Sequence, residues 1–282
     1  CKGIPNDEVT IVCCEGNFHG RTITIITMSN DPDSYANYGP LTPGFIRIPY
    51  NDPNALEAVL AEHGHKIAGF LLEPIQGEAG VYVPDEGYLK KCYDICKKYN
   101  VLFMADEVQS GIARTGKMLA CDHENVRPDI LILGKALSGG VVPVSAVLAD
   151  DYIMMNIKPG EHGSTFGGNP IAAKISMAAL QVIKDENLME KAEYLGNIFR
   201  EEMRKIDSPM IELVRGKGLL NAVIIKPKDG KEAWDVCMKM KENGVLAKPT
   251  HQHIIRFAPP LVITEEELRA AIEIIKETIL SF

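Results

Sequence analysis

The fold is indicated most clearly by the stretch Val101-Leu102-Phe103-Met104-Ala105-Asp106-Glu107, in which an unbroken apolar run ends on two carboxylates. Two further runs have the same form: Ile67–Leu72 leads into Glu73, and Ile130–Leu133 leads through Gly134 into Lys135. Short apolar runs alternating with helix-period segments are typical of buried parallel strands joined by helical crossovers. Ligands bind beyond the carboxyl ends of such strands, so we expect Glu73, Asp106 and Lys135 to share one crevice.

The remaining segments complete a two-part organisation. A strand is predicted at Val9–Cys14, and the segment opened by Pro84 repeats apolar residues at spacings of three and four as far as Tyr99, which predicts a helix. Helices are also predicted at Ala172–Ile183, Leu188–Ile206, Glu232–Asn243 and Glu265–Leu280, with a short strand at Ile254–Phe257. This order predicts a large α/β domain at residues 1–185, with a mostly parallel sheet, and a smaller C-terminal α+β domain at residues 186–282.

Composition excludes two classes of partner. The chain has 282 residues, is 46% hydrophobic and carries a formal net charge of -8, with no Lys/Arg-rich run. Nucleic-acid binding needs a basic surface, and no apolar stretch is long enough to cross a bilayer. We therefore expect neither nucleic acid nor a membrane as a partner.

Seven cysteines occur without a CxxC pair, which suits a reducing compartment and free thiols. The adjacent pair Cys13-Cys14 is interpreted as two buried strand thiols, with a redox role as the alternative. The chain opens at Cys1 without an initiator methionine, so we expect an internal start, a large domain incomplete at its N-terminus, and any targeting segment further upstream. The expected location is cytoplasmic, with the mitochondrial matrix as the alternative.

Lys135 and Asp106 are candidate catalytic residues, because an amine and a buried carboxylate can both take part in a reaction. A lysine between a strand and a glycine-containing turn can act as a nucleophile, although a plain surface lysine has the same flanks. Gly134-Lys135 is not a phosphate loop, because Asp129 stands where the first glycine is required and Ala136 where Ser or Thr is required. A buried Asp106 needs a cation or several donors, and a protonated heterocyclic nitrogen, a helix cap or a structural ion pair would each serve. Together the two residues suggest a cofactor ring that needs both an amine and a carboxylate.

Metal binding is not expected. His251 and His253, like His63 and His65, lack a carboxylate or cysteine at ligand spacing, so they are interpreted as loop histidines.

Several long motifs resemble the class III pyridoxal-phosphate aminotransferases. They are Phe103–Gly111, Asp129–Gly140, Asn17–Thr22, Glu73–Gly80, Gly160–Pro170 and Ile254–Leu261. The last four are similar in particular to the members that act on ornithine, and the resemblance covers essentially the whole chain. It implies the fold-type-I architecture, with the large domain in α/β/α layers, and pyridoxal 5'-phosphate as the cofactor.

The resemblance also implies roles for the cofactor-binding residues. Lys135 would bind the cofactor covalently and move the proton between substrate and cofactor carbons, and Asp106 would hold the pyridinium nitrogen protonated. Gln109 would bond the phenolic oxygen, and Phe18 would stack on the ring. Ser164 and Thr165 match a segment that reaches the cofactor phosphate of the neighbouring subunit, which implies a homodimer.

Substrate binding would rest on Arg21, Glu78 and Arg256. The resemblance implies that Arg256 binds the α-carboxylate of glutamate or 2-oxoglutarate and that Arg21 binds that of ornithine. Glu78 would pair with Arg256 while ornithine reacts at its δ-amine and would swing away for the other half-reaction. The implied activity converts ornithine and 2-oxoglutarate to glutamate 5-semialdehyde and glutamate, as in arginine catabolism and proline biosynthesis.

Three alternatives stay open at the level of sequence. His19 stands where ornithine-specific animal members usually carry Trp, and Phe-His-Gly-Arg is common in relatives that use acetylornithine, so acetylornithine or 4-aminobutyrate is an alternative donor. The family's N-terminal glycine-rich phosphate loop has no counterpart in residues 1–282, so a non-catalytic chain is the second alternative. A pyridoxal-dependent aminomutase or racemase is the third.

Overall fold

The computed structural model describes residues 2–5 and 7–282, so Cys1 lies outside the described residues. It separates into two compact units whose segments alternate along the chain. Unit 1 comprises residues 1–74, 84–111 and 120–182, and unit 2 comprises residues 75–83, 112–119 and 183–282. The predicted division at residues 185 and 186 stays a prediction.

Unit 1 contains a six-stranded sheet. Its strands are β1 (Thr10–Cys14), β2 (Phe45–Ile48), β3 (Ile67–Leu72), β4 (Leu102–Asp106), β5 (Ile130–Leu133) and β6 (Ala146–Ala149). The spatial order is β2-β1-β3-β4-β5-β6, and every neighbouring pair is parallel except β5 with β6. The predicted mostly parallel sheet is therefore confirmed.

Three of the six helices described in this part of the chain have only four residues. The six helices are α1 (Ile23–Ile26), α2 (Pro32–Tyr35), α3 (Pro53–His63), α4 (Tyr88–Lys98), α5 (Asp151–Met154) and α6 (Pro170–Asp185), with 3-10 turns at Ala120–Glu124 and Lys135–Ser138. Helix α4 begins four residues later than the predicted Pro84, because Gly87 lies in the left-handed region at φ +82° and the helix can start only after it. Asp52 caps α3 by accepting from the backbone N–H groups of Asn54 and Ala55, both at 3.0 Å.

One core of unit 1 lies between the sheet and helices α3 and α4. Phe70 of β3 and Phe103 of β4 are fully buried and meet edge to face, with ring centroids 6.2 Å apart. Tyr93 of α4 packs on Phe103 in the same geometry at 5.8 Å. This packing fixes β3 and β4 side by side and so sets where their carboxyl ends lie.

Unit 2 is built on a four-stranded antiparallel sheet. Its strands are β7 (Ile211–Lys217), β8 (Leu220–Ile225), β9 (Lys248–Thr250) and β10 (Ile254–Phe257), in the order β7-β8-β10-β9. Helices α7 (Leu188–Arg204), α8 (Ala233–Glu242) and α9 (Glu265–Leu280) contribute to one apolar core with the sheet. Residues 75–83 join this unit through Ile75 and Val81, which pack on buried residues of β8 and β10.

Within residues 2–5 and 7–282, no helix is long and apolar enough to cross a membrane. The six cysteines in this described part, all except Cys1, are free and buried.

Candidate active site

The carboxyl ends of four adjacent parallel strands in unit 1 carry polar or aromatic residues. Phe18 and His19 follow β1, Glu73 follows β3, Asp106 ends β4, and Lys135 follows β5. Parallel strands end at the same edge of a sheet, so the topology brings these residues to one edge. Glu73 Oε1 accepts a hydrogen bond from the Phe18 backbone N–H at 2.8 Å, which ties the loop after β1 to the end of β3.

Asp106 is buried and hydrogen-bonded on both carboxylate oxygens. Oδ1 accepts from the Val108 backbone N–H at 3.1 Å, and Oδ2 accepts from His19 Nδ1 at 2.7 Å. The His19 side chain is 2% exposed, and its Nε2 has no partner within the described residues. The predicted need of Asp106 for donors is thus met partly by an imidazole. Sequence reasoning noticed His19 only as a departure from relatives and did not assign it this contact.

Gln109 lies three residues beyond Asp106 and carries an unused donor. Its side-chain amide nitrogen is buried and makes no hydrogen bond to any described residue. A buried N–H group without an acceptor costs free energy, so such a donor is typical of a site completed by a ligand. The amide of Gln109 therefore suits an anionic oxygen at this edge of the sheet.

Lys135 is exposed and opens the 3-10 turn after β5. Its backbone has φ +38°, in the left-handed region that non-glycine residues seldom adopt. Such a conformation costs free energy and is common at functional sites, where neighbouring structure holds it in place. The lysine side chain thus projects from a strained turn at the end of a strand.

A cavity of about 820 Å³ lies beside this turn. Lys135, Ser145, Ser164, Asn169 and Ser176 supply its polar lining side chains. Its volume is in the range of small-molecule sites. Ser164 therefore shares a cavity with Lys135, whereas Thr165 is exposed and does not line it.

Arg21 lies near Phe18 rather than in an ion pair. Its guanidinium carbon is 5.3 Å from the centroid of the Phe18 ring, a cation–π distance, and the residue is exposed. The contact brings together two residues assigned by resemblance to substrate and cofactor.

Unit 2 carries a cluster of one carboxylate and two cations. Arg256 Nη2 donates to Oε1 and Oε2 of Glu78 at 3.1 and 3.0 Å, and Arg256 Nη1 donates to the Gly77 carbonyl at 2.9 Å. Lys248 Nζ donates to Glu78 Oε2 at 2.9 Å. Burial raises the pKa of Glu78, but the hydrogen bonds and charges of Lys248 and Arg256 outweigh it, so the pKa is lowered overall. The Glu78–Arg256 contact was expected, and Lys248 was missed.

The described histidines do not form part of a candidate metal site. In the part of the chain that the structure describes, there is no group of three or more His, Cys, Asp or Glu side chains that could hold a metal ion. His63 Nε2 lies 3.4 Å from Glu62 Oε1 on the surface.

Solved structures similar to this chain include aminotransferases from several organisms. The chain aligns with ornithine aminotransferase from Toxoplasma gondii at a TM-score of 0.96 and 50% identity, covering 99% of this chain and 66% of that one. It aligns with acetylornithine aminotransferase from Elizabethkingia anophelis at a TM-score of 0.88 and 57% identity, covering 100% of this chain and 68% of that one. These neighbours confirm the predicted fold-type-I architecture.

Pyridoxal phosphate is the cofactor that these relatives indicate. The Toxoplasma gondii protein holds it at partial occupancy in its active site. The residues of unit 1 fit this group: the Asp106 carboxylate matches a pyridinium nitrogen, the unpartnered Gln109 amide matches a phenolate oxygen, and Lys135 matches an aldehyde.

Sequence comparison covers the chain from end to end. The family model for aminotransferase class-III matches residues 2–279. Mitochondrial ornithine aminotransferase of Rattus norvegicus is 57% identical over 281 residues, which are 100% of this chain and 64% of that protein. The chain thus spans slightly less than two thirds of that relative's length. The family model matches nearly every residue, and both the fold and the strand-edge site of unit 1 suit the family's cofactor. This chain therefore belongs to the class-III aminotransferases.

Proposed function

We propose that the protein is an ornithine δ-aminotransferase, which transfers the δ-amino group of ornithine to 2-oxoglutarate and yields glutamate 5-semialdehyde and glutamate. The observation that carries the proposal is the pair between Arg256 and Glu78, in which one guanidinium nitrogen bonds both carboxylate oxygens at 3.0 and 3.1 Å. An enzyme that takes a terminal amine from one substrate and an α-keto acid as the other must present two different carboxylate positions. A guanidinium that a side-chain carboxylate can mask supplies both.

The masked and unmasked states select different substrates. With Glu78 on Arg256, the guanidinium is neutralised, so the α-carboxylate of ornithine binds Arg21 and the δ-amine is the amine that reacts. With Glu78 moved away, Arg256 binds the α-carboxylate of 2-oxoglutarate through paired hydrogen bonds. Arg256 Nε, which is buried and has no partner among the described residues, offers a further donor for that carboxylate.

The residues of unit 1 provide for the chemistry of amino transfer. Pyridoxal phosphate, when bound, supplies the carbonyl that takes the amino group and a ring that accepts the electron pair of the broken C–H bond. Asp106 holds a proton on the ring nitrogen because its negative charge favours the charged form. Gln109 donates to the phenolic oxygen, and Phe18 covers a ring face. Lys135 provides the amine for covalent attachment and carries the proton removed from the substrate carbon.

Amine-donor preference tests the function directly. The holoenzyme with 2-oxoglutarate should turn over ornithine with a higher kcat/KM than N-acetylornithine or 4-aminobutyrate. Acetylornithine is the second candidate, favoured by the 57% identity to the Elizabethkingia anophelis protein. A preference for acetylornithine or 4-aminobutyrate would replace the proposal. Turnover without a keto acid would indicate an aminomutase or racemase, and no reaction with any donor would indicate a non-catalytic chain.

We further propose a homodimer in which Ser164 and Thr165 bind the cofactor phosphate of the neighbouring subunit. Ser164, Thr165 and Phe166 are exposed in the single chain, and Thr165 does not line the cavity beside Lys135 of its own subunit, as expected of a residue that serves a partner's site. Mixing inactive Lys135→Ala and Thr165→Ala subunits tests this. A hybrid dimer would then contain one site with both residues intact, so activity should return. If Thr165 serves its own subunit, mixing restores nothing.

For location we propose the cytoplasm, with the mitochondrial matrix as the alternative, because free buried thiols suit a reducing compartment. Fractionation of the source cells followed by activity assay distinguishes the two.

A further inference from the structure

Lys248 and Arg256 lie directly opposite each other on neighbouring strands. In the antiparallel pair of β9 and β10, residue 256 pairs with residue 248. Like charges at directly opposed positions repel and destabilise a sheet. Glu78 resolves the repulsion because its Oε2 accepts from both cations, at 2.9 Å from Lys248 and 3.0 Å from Arg256. The strand register thus fixes a second cation beside the carboxylate.

The exposed fraction of the side chain increases from Arg256 through Glu78 to Lys248. The side chain of Arg256 is 11% exposed, that of Glu78 is 27% exposed and that of Lys248 is 62% exposed. A carboxylate that leaves Arg256 toward Lys248 therefore moves toward solvent and becomes better hydrated. A carboxylate left half-buried without a cation would instead pay a desolvation penalty.

We propose that Lys248 is a positioning residue that holds Glu78 when Arg256 is occupied by the α-carboxylate of the keto acid. This inference rests on the proposed function and assigns to that function a third participant. Oε2 is already bonded to Lys248 while Arg256 is masked, so unmasking breaks the contacts to Arg256 and keeps one ion pair intact. In the masked state Lys248 shares the carboxylate with Arg256, whereas in the unmasked state it is the cation that stays bonded to Glu78, so its contribution is larger there. This difference favours the unmasked state, and Lys248 produces it without touching substrate.

Replacing Lys248 should affect one substrate only. Lys248→Gln in the complete holoenzyme removes the retained partner, so Glu78 competes more strongly for Arg256, and the KM for 2-oxoglutarate should rise about two- to fivefold, the range of an exposed ion pair. The KM for ornithine and kcat should change less than about twofold, because ornithine reacts with Arg256 masked. Lys248→Arg keeps the charge and should restore the KM for 2-oxoglutarate.

A double-variant cycle separates this role from direct substrate binding. In a Glu78→Gln background there is no carboxylate to hold, so Lys248→Gln should leave the KM for 2-oxoglutarate unchanged. A rise that persists in that background would mean that Lys248 binds the keto acid itself and would overturn the proposal, as would an unchanged KM in the single variant. Lys239→Gln is the matched control, since Lys239 pairs with Glu242 on the surface of α8 at 3.0 Å. If the unaltered enzyme does not use ornithine at all, the proposed function is wrong. That result is distinct from the two outcomes that would overturn the role of Lys248.

Discussion

His19 and Asp106 form a buried hydrogen-bonded pair, with Nδ1 and Oδ2 2.7 Å apart. The pair joins the loop after β1 to the end of β4, although β3 lies between those two strands. It leaves Asp106 Oδ1 bonded to the Val108 backbone. The carboxylate proposed to meet the cofactor ring is thus held in one orientation by a side chain and by the main chain.

Removing the imidazole should destabilise the cofactor-free protein. His19→Phe keeps a ring of similar size but leaves the buried Asp106 with one donor fewer, so the free energy of unfolding should fall by about 1–3 kcal/mol. Urea denaturation of the apoprotein at neutral pH measures this. His63→Gln on the surface is the control and should change the free energy by less than about 0.5 kcal/mol. An unchanged midpoint for His19→Phe would show that Asp106 does not depend on His19.

Unmasking Arg256 permanently should change which amine of ornithine reacts. In Glu78→Gln the guanidinium has no negative partner, so the α-carboxylate of ornithine can bind it and present the α-amine. The fraction of product derived from the α-amine should rise, and the KM for 2-oxoglutarate should fall. Product analysis by mass spectrometry measures the first and steady-state kinetics the second. Glu242→Gln should leave both as in the unaltered enzyme, and retained δ-selectivity in Glu78→Gln would count against the masking role.

The stabilising effect of the Glu78 cluster should depend on pH in one direction. Because the pKa of Glu78 is lowered in the folded protein, the cluster stabilises above the ordinary carboxyl pKa of about 4.5, and that stability is lost as pH falls through the folded-state value. The difference in unfolding free energy between the unaltered protein and Glu78→Gln should stay below about 1 kcal/mol at pH 7, since the group is partly exposed. It should shrink as pH falls below 5. A difference that grows on acidification would contradict the direction of the pKa change.

Native thiols should be unreactive. Burial raises the pKa of Cys13, Cys92 and Cys237 to about 12 each and raises the pKa values of Cys14, Cys96 and Cys121 further. At pH 8 these six thiols should resist iodoacetamide until the protein unfolds. Peptide mass spectrometry with and without denaturant gives the labelling at each position. Rapid native labelling of Cys13 or Cys14 would support the redox alternative for that pair.

Close helix packing in unit 2 depends on a glycine in α7. A Cβ on Gly196 would lie 1.8 Å from the carbonyl oxygen of Gly218, and backbone cannot yield as a side chain can. Gly196→Ala should therefore destabilise the protein by about 3 kcal/mol, measured by thermal or urea unfolding. Gly163→Ala, where a Cβ meets nothing within 4 Å, is the control in the apoprotein. Equal stability of the two variants would contradict the packing.

Local patterns in the sequence predicted the strands that build the site. The runs Ile67–Leu72 and Ile130–Leu133 form strands with the predicted bounds, because a short continuous apolar run of four to six residues favours a strand of a parallel sheet. Strands β2, β6 and β9 were missed, and β9 has the short sequence Lys-Pro-Thr, which carries no apolar period. Weak strands of this kind form only because a partner strand is already in place.

Contacts between distant segments could not be predicted from local sequence patterns. The opposition of Lys248 and Arg256 depends on the register of β9 and β10, and the His19–Asp106 bond depends on the strand order. Tertiary packing fixes both, and a hydrophobic pattern does not encode either. The sequence did contain one signal for His19, since a buried carboxylate requires donors and a histidine follows the first strand.

Product regiochemistry in a single turnover tests the central proposal most directly. The pyridoxal-phosphate-loaded enzyme is mixed with ornithine in the absence of keto acid, and the carbonyl product is trapped and identified. We expect glutamate 5-semialdehyde, formed by loss of the δ-amine, and no carbonyl product from Lys135→Ala. A product that has lost the α-amine, or a product of equal amount from Lys135→Ala, would contradict it.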